Sequence, residues 1–318
     1  MKGLRLRANP RQRKSTTRRP PTAGFVPDRR WFTGQPASGS SLRWLWSGLV
    51  ATAYHLAMAT AVFFHAHPDD EAIATAGTMA KAARDGHRVV LVCATRGEQG
   101  IPQPGVLDEG EDLWHRREQE LQQAARILGV SRLEYLGYTD SGMMGEPSNQ
   151  VEGCLWLADV DQAAQRLAKI LSEERAEVLT IYDEHGGYGH PDHIQVHRIG
   201  MRAAELSGTQ AVFMSTINRA HTKQLMEQAD KLGIEIDAGI RESVDTLGVS
   251  PEEITTAVDV TGFLDVKRRA MAAHASQIAE NSPFLGMPPD VFAAAWGTEW
   301  YVRVGGERPE ELETSLFD

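Results

Sequence analysis

Two unbroken apolar runs constrain the fold of this chain most: Arg88–Thr95 (RVVLVCAT) and Val178–Tyr182 (VLTIY). Neither alternates apolar with polar residues, so neither suits a strand with one wet face. Both suit inner strands covered on both sides, as in a parallel sheet. The segments around them alternate in type. Ala61–His65 reads as a short strand, and Glu71–Asp85 as an Ala-rich helix closed by Gly86. Asp112–Leu128 reads as a helix ending at Gly129, Arg132–Leu136 as a strand and Val160–Glu174 as a helix. Pro191–Leu206 is a helix with proline at its first position, and Ala211–Ser215 a further strand. This alternation predicts right-handed crossovers and an α/β fold, a Rossmann-like three-layer α/β/α arrangement with a mostly parallel sheet. Beyond residue 216 the pattern loosens. Arg219–Leu232 and Phe263–Ile278 look helical, Thr255–Val260 and Glu299–Val304 strand-like. They read as C-terminal α+β additions to the same domain, residues 58–318.

Residues 1–57 differ in character. They carry eleven Lys or Arg and one acid, Asp28, while the remainder carries a net charge of −20. Residues 1–43 lack apolar periodicity and read as a disordered tail. A nucleic-acid arm, an export signal and a membrane anchor are the functional alternatives. A fourth reading makes Met58 the natural start. The anchor falls short: from Trp44 to the first strand there are about 14 residues, against the roughly 20 that span a bilayer. A body this acidic disfavours nucleic acid and anionic membrane as partners. With only Cys93 and Cys154, no disulfide framework is indicated, and a reducing cytoplasm fits. The oligomeric state is not legible.

A doubly wound sheet places its site outside the carboxyl ends of its strands. After the first strand stands His65-Ala66-His67-Pro68-Asp69-Asp70-Glu71, not the glycine-rich turn of a dinucleotide site, and there is no Walker loop. After VLTIY comes Glu184-His185-Gly186-Gly187-Tyr188-Gly189-His190-Pro191-Asp192-His193. A catalytic zinc site takes three imidazole or carboxylate ligands from the protein. His67 and Asp70, three apart at a helix start, can share one side. His193 can supply the third ligand from the neighbouring strand end, and Asp69 points elsewhere, free to act on a water. Duller readings stand beside this one. Asp69, Asp70 and Glu71 could be N-terminal caps and dipole partners. Asp192 is a first-turn residue that would also orient His190. His197 lies a turn too deep, His65 stands behind the ligands, and His185, His87 and His274 suit surface or core positions better than a metal.

Taken together, His67-Pro68-Asp69-Asp70-Glu71 with Gly77, Thr95-Arg96-Gly97-Glu98, Arg117 to Glu120-Leu121, Asp140-Ser141-Gly142-Met143 and Gly187-Tyr188-Gly189-His190-Pro191-Asp192-His193 resemble the PIG-L/LmbE-like zinc-dependent de-N-acetylase family. The resemblance runs from about Ala59 to Ile199 and is weaker around Lys267–Gln277. It implies a hydrolase removing the N-acetyl group of an amino-sugar-type substrate. His67, Asp70 and His193 would hold Zn2+, with Fe2+ able to share such ligands. It makes Asp69 the general base and His190, oriented by Asp192, the oxyanion donor. Tyr188 would polarise the carbonyl, and Arg117, Asp140 and Glu98 would meet substrate. Relatives that act on mycothiol or its precursor carry further polar residues after Asp-Asp-Glu. This chain has Ala72-Ile73-Ala74-Thr75 there, so the expectation stops at a GlcNAc-type amide. A mycothiol-type thiol-conjugate amidase and a non-catalytic metal- or sugar-binding protein are the alternatives.

Overall fold

The computed structural model describes residues 58–232, 238–282 and 284–317. The expected tail, residues 1–57, lies outside the described residues.

In chain order the elements are β1 (Thr60–His65), α1 (Asp70–Ala74), α2 (Ala76–Arg84), β2 (Arg88–Cys93), α3 (Leu113–Leu128), β3 (Arg132–Tyr135), α4 (Val160–Glu174) and β4 (Val178–Tyr182). There follow α5 (Gly186–Gly189), α6 (Pro191–Ser207), β5 (Ala211–Thr216), α7 (Arg219–Leu232), α8 (Ala238–Ser243), β6 (Thr256–Asp259), α9 (Leu264–Ala273), α10 (Pro289–Trp296) and β7 (Thr298–Arg303). The seven strands form one sheet in the order β3-β2-β1-β4-β5-β7-β6. β1 to β5 pair in parallel, with Ala61 opposite both Val89 and Val178. β7 runs antiparallel to both β5 and β6, so the C-terminal additions extend the same sheet.

The two apolar runs become β2 and β4, flanking β1, and the alternation of side chains along them builds two cores. Phe63 and Leu91 face a layer with Met79 of α2, Leu121 of α3 and Met271 of α9. Val62, Phe64, Val90 and Val92 face the opposite layer, with Leu167 of α4 and Val196 of α6. Gly200 lets α6 lie close on the sheet, since a Cβ there would meet Ile181 Cγ2 at 2.3 Å. α3 ends, as expected, at Gly129, whose φ of 77° lets the chain turn out of the helix.

One expectation needs correction. The helix read over Glu71–Asp85 is two helices broken at Thr75, at φ −133° and ψ 7°. Thr75 is fully buried and its Oγ1 lies 2.8 Å from His65 Nε2. That tie between helix and strand competes with continuing the helix. The short helices α5, α8 and α10 carry too few periodic residues to have been read from sequence.

The order β3-β2-β1-β4-β5 reverses direction between β1 and β4, which makes a crevice at their carboxyl ends. Both His/Asp segments leave the sheet there.

Candidate metal-dependent active site

The first segment is positioned by a strained turn. Asp69 stands at the N-cap of α1 with φ 110°, one of two non-glycine residues with positive φ among those described. Its side chain makes no capping hydrogen bond, so the cap reading fails for this acid. A β-carbon in this region carries a cost of order 1–3 kcal/mol, which its surroundings must outweigh. Those surroundings are specific. The Asp69 N–H donates to Glu71 Oε2 at 3.0 Å, and Asp69 Oδ1 lies 3.2 Å from Arg117 Nη2. Asp70 turns the other way, its Oδ2 accepting the His67 N–H at 2.8 Å.

The second segment is held by Asp183, whose Oδ1 accepts the N–H groups of His185 and Gly187 and whose Oδ2 accepts from Thr216 Oγ1. Gly186 sits at φ 68° against His193, where a Cβ would come within 2.8 Å of His193 Cβ. Only glycine permits this close approach. Pro191 opens α6 as expected, and His190 is its N-cap, with Nδ1 accepting the Asp192 N–H at 3.1 Å.

These loops bring the expected donors together. The rings of His67 and His193 lie 5.4 Å apart, centroid to centroid, and both are buried. Asp70 Oδ2 lies between them, 3.3 Å from His67 Nδ1 and 3.4 Å from His193 Nε2. Two further triplets converge within 4.8 Å: His67, His190 and His193, and His67, Asp140 and Asp192.

Hydrogen bonding sorts the imidazoles. His193 Nδ1 lies 3.2 Å from Gly186 O, so it carries the proton and leaves the Nε2 lone pair free. That Nε2 is buried without a hydrogen-bond partner, as suits a nitrogen that ligates a metal. His67 Nε2 faces Asp192 at 3.2 Å and Asp140 at 3.4 Å, which places its proton there and turns Nδ1 toward Asp70. His190 is the opposite case. Its Nδ1 lone pair is spent on the Asp192 N–H, so Nε2 carries the proton and is a donor, not a ligand. The donor set His67, Asp70 and His193 therefore fits a divalent cation bound by nitrogen and carboxylate.

The electrostatics follow from crowding. Burial opposes charge on His67, but Asp140, Asp192 and Asp70 raise its pKa well above the usual imidazole value, so a cation taking the Nδ1 lone pair displaces a proton. Burial also works against the Asp70 carboxylate, yet His193 and His67 hold its pKa well below the ordinary range. Burial pushes Asp69 up to about 6, with Arg117 pulling the other way. His190 is brought down to about 4 by burial and by its neighbours His67 and His193, so it is neutral at neutral pH.

The other expected residues are placed as follows. Tyr188 lies edge-on to His193 with ring centroids 5.1 Å apart and is half exposed. The Asp192 carboxylate accepts the Ser141 N–H and faces His67; toward His190 it offers its backbone N–H rather than the expected carboxylate. Arg117, Asp140 and Glu98, expected at the substrate, are turned to protein partners. Arg117 is buried and donates to Gly97 O and Pro68 O. Asp140 accepts from the N–H groups of Gly142 and Gln99, and Glu98 accepts from the Asp140 N–H. His65 bonds Tyr182 and Thr75, His197 bonds Tyr182 O, and neither joins the donors.

One neighbour of the site escaped the sequence reading, and one histidine expected at the surface or in the core has its partner beside the site. Tyr182 stacks on His193 at 4.0 Å with its hydroxyl on His65. His274, fully buried, lies 2.6 Å from Glu71 Oε1.

A family model described as GlcNAc-PI de-N-acetylase, PIG-L, matches residues 62–204, which hold every donor named above. A 1D-myo-inositol 2-acetamido-2-deoxy-alpha-D-glucopyranoside deacetylase of Acidothermus cellulolyticus is 40% identical, covering 76% of this chain and 87% of that protein. The chain belongs to the PIG-L de-N-acetylase family. A relative of the same name from Thermomonospora curvata is 39% identical over 80% of this chain and 95% of its own length. Among solved structures, the A40926 pseudoaglycone deacetylase Dbv21 aligns with a TM-score of 0.51 at 16% identity, over 77% of this chain and 97% of its own. The 4-carboxy-2-hydroxymuconate hydratase GalB from Pseudomonas putida aligns at 0.50 and 20% identity, over 80% and 100%. A deacetylase and a hydratase on one architecture show that the fold alone does not name the reaction. As a PIG-L family member the chain is a hydrolase of amide bonds, removing the acetyl group of amino-sugar-type substrates through a His/Asp metal-binding site. No described helix is long and apolar enough to cross a membrane.

Proposed function

We propose that the chain hydrolyses the acetamide of a 2-acetamido-2-deoxy-glucopyranoside joined to an inositol, using a zinc ion held by His67, Asp70 and His193. The observation that carries the reading is the orphaned His193 Nε2 beside the Asp70 carboxylate, within reach of the rings of His67 and His190. The relatives' names supply the substrate. Their number outweighs the apolar Ala72-Ile73-Ala74, which had argued against the thiol-cofactor branch. Ferrous iron suits the same donors. Cytoplasmic placement fits the two free, buried thiols of Cys93 and Cys154.

A metal in this position supplies a Lewis acid that polarises the amide carbonyl and makes water a better nucleophile near neutral pH. The side chains divide the remaining work. Asp69, off the ligand line, takes a proton from the attacking water as its oxygen bonds to the carbonyl carbon. It delivers that proton to the departing nitrogen when the C–N bond breaks, leaving acetic acid and the amine, which exchange a proton to become acetate and ammonium at neutral pH. His190 Nε2–H donates to the carbonyl oxygen as charge gathers there, a contribution of about 3–4 kcal/mol for a well-placed donor. Tyr188, over the mouth, can meet the same carbonyl. Asp192 and Asp140 fix the His67 ring. Arg117 and Glu98 hold the Asp69 and Asp140 loops rather than touch the sugar.

The test is amine release from a panel: the inositol-linked N-acetylglucosaminide, free N-acetyl sugars and thiol-conjugate amides. The reading expects the inositol-linked substrate to have the highest kcat/KM. Preference for a thiol conjugate would transfer the chain to amidase chemistry.

A further inference from the structure

The Glu71–His274 pair is a buried ionic pair beside the site that the proposed chemistry does not use. Both side chains are completely buried, and His274 Nε2–H donates to Glu71 Oε1 at 2.6 Å. A buried ion pair is poor evidence for stability, because the desolvation of both groups offsets their attraction and an apolar pair of the same volume often does as well. The placement of this pair points to another role. The second Glu71 oxygen, Oε2, accepts the N–H of Asp69, the residue held at φ 110°.

The far side of the pair is anchored as well. His274 terminates α9, and two residues on, Ser276 donates from both its N–H and its hydroxyl to the carboxylate of Glu120 on α3, at 2.8 and 2.6 Å. One turn before Glu120 on the same helix, Arg117 reaches Asp69 Oδ1 and the Pro68 carbonyl. Asp69 is thereby gripped twice. Arg117 holds its carboxylate and Glu71 holds its backbone, and both grips trace back to the packing of α9 on α3.

We infer that His274 is a positioning residue: through Glu71 it holds Asp69 in its left-handed conformation, aiming the general base away from the ligands and at the water. The inference rests on the reading of Asp69 as base. Without the imidazole, the Glu71 carboxylate is free to rotate off the Asp69 N–H, and a turn strained at Asp69 relaxes toward an ordinary helix start. A misplacement of the base by about 1 Å is enough to cost on the order of 100-fold in turnover.

The test is a double-mutant cycle on the metal-loaded full chain with the inositol-linked substrate, comparing His274→Leu, Asp69→Asn and the double variant. H274L is expected to lower kcat roughly 10–100-fold, the range for partners behind a catalytic group, with KM and metal content within twofold of wild type. His274→Gln, which keeps a donor, should recover part of the loss. Added to D69N, the H274L change should lower the residual rate by less than twofold, because the group it positions is gone. An equal loss in both backgrounds makes His274 merely structural and overturns the inference, as does wild-type kcat in folded H274L or a loss confined to KM or metal. If leucine prevents folding, His274→Ala carries the same cycle. If D69N alone keeps the wild-type rate, the reading of Asp69 as base falls, whatever H274L shows.

Discussion

His190 caps α6, and in the proposed chemistry it is also the oxyanion donor; replacing it tests both. Its Nδ1 caps α6 by accepting the Asp192 N–H at 3.1 Å, and its Nε2–H faces the donor cluster. In His190→Ala both are lost. Losing the cap costs about 1 kcal/mol, which for a chain of this size lowers Tm by roughly 2–4 °C. Losing a preorganised donor costs about 3–4 kcal/mol at the transition state, or 10²–10³ in kcat. His190→Asn separates the two, since asparagine is a strong N-cap but its short amide does not reach where the imidazole Nε2 stands. We expect H190N to recover Tm to within about a degree while kcat stays down at least 100-fold. The imidazole is neutral at neutral pH, held down by burial and by His67 and His193, so its loss removes a dipole and not a charge. Metal content should match wild type in both variants, because the Nδ1 lone pair is engaged and Nε2 is protonated. The assays are amine release, thermal melts and metal analysis on the same preparations. H190N turnover within tenfold of wild type would refute the donor role. Loss of metal from H190N would show His190 to be a ligand after all, and the tautomer argument to be wrong.

Three further outcomes are expected. Lys267→Met leaves the Glu299 carboxylate buried without its 2.6 Å partner; breaking such a pair costs about 3–5 kcal/mol, visible as a shift in the denaturant midpoint, and an unchanged midpoint would contradict it. Gly200→Ala forces a methyl against Ile181 at 2.3 Å and should destabilise by about 1–3 kcal/mol, with kcat per folded molecule unchanged. Glu174 is held down to about 2 by hydrogen bonds to Arg88, despite opposing burial, and to Arg132. Its folded pKa is depressed, so its stabilisation is present above the unfolded carboxylate value and is lost as pH falls toward 2. Glu174→Gln should flatten the stability-against-pH curve in that acid window by a small amount, since the pair lies near the surface.

The layer order and the convergence of the two His/Asp loops were readable from sequence because strong local signals and global placement agreed. RVVLVC and VLTIY have no polar face to offer solvent, and the two His/Asp segments follow strands that flank the reversal of strand order. The direction of each side chain was not readable. Arg117, Asp140 and Glu98 carry charge and lie near the site, which is all that the sequence reports. Their turning to Pro68, His67 and Asp140 depends on tertiary contacts with loops up to 73 residues away in the chain. His274 was read as a surface or core histidine and is buried, but its pairing with Glu71, 203 residues earlier, was hidden for the same reason. The break at Thr75 followed a side-chain tie to His65 that helix propensity does not encode.

Metal stoichiometry of the purified chain and of His193→Ala, after removal of bound metal and reloading with one equivalent of zinc, tests the ligand set most directly. The wild type should retain one ion per chain and regain amine release on reloading, whereas H193A should retain little and stay inactive. An H193A protein that kept a full equivalent would contradict the closure of the two distant segments around one ion.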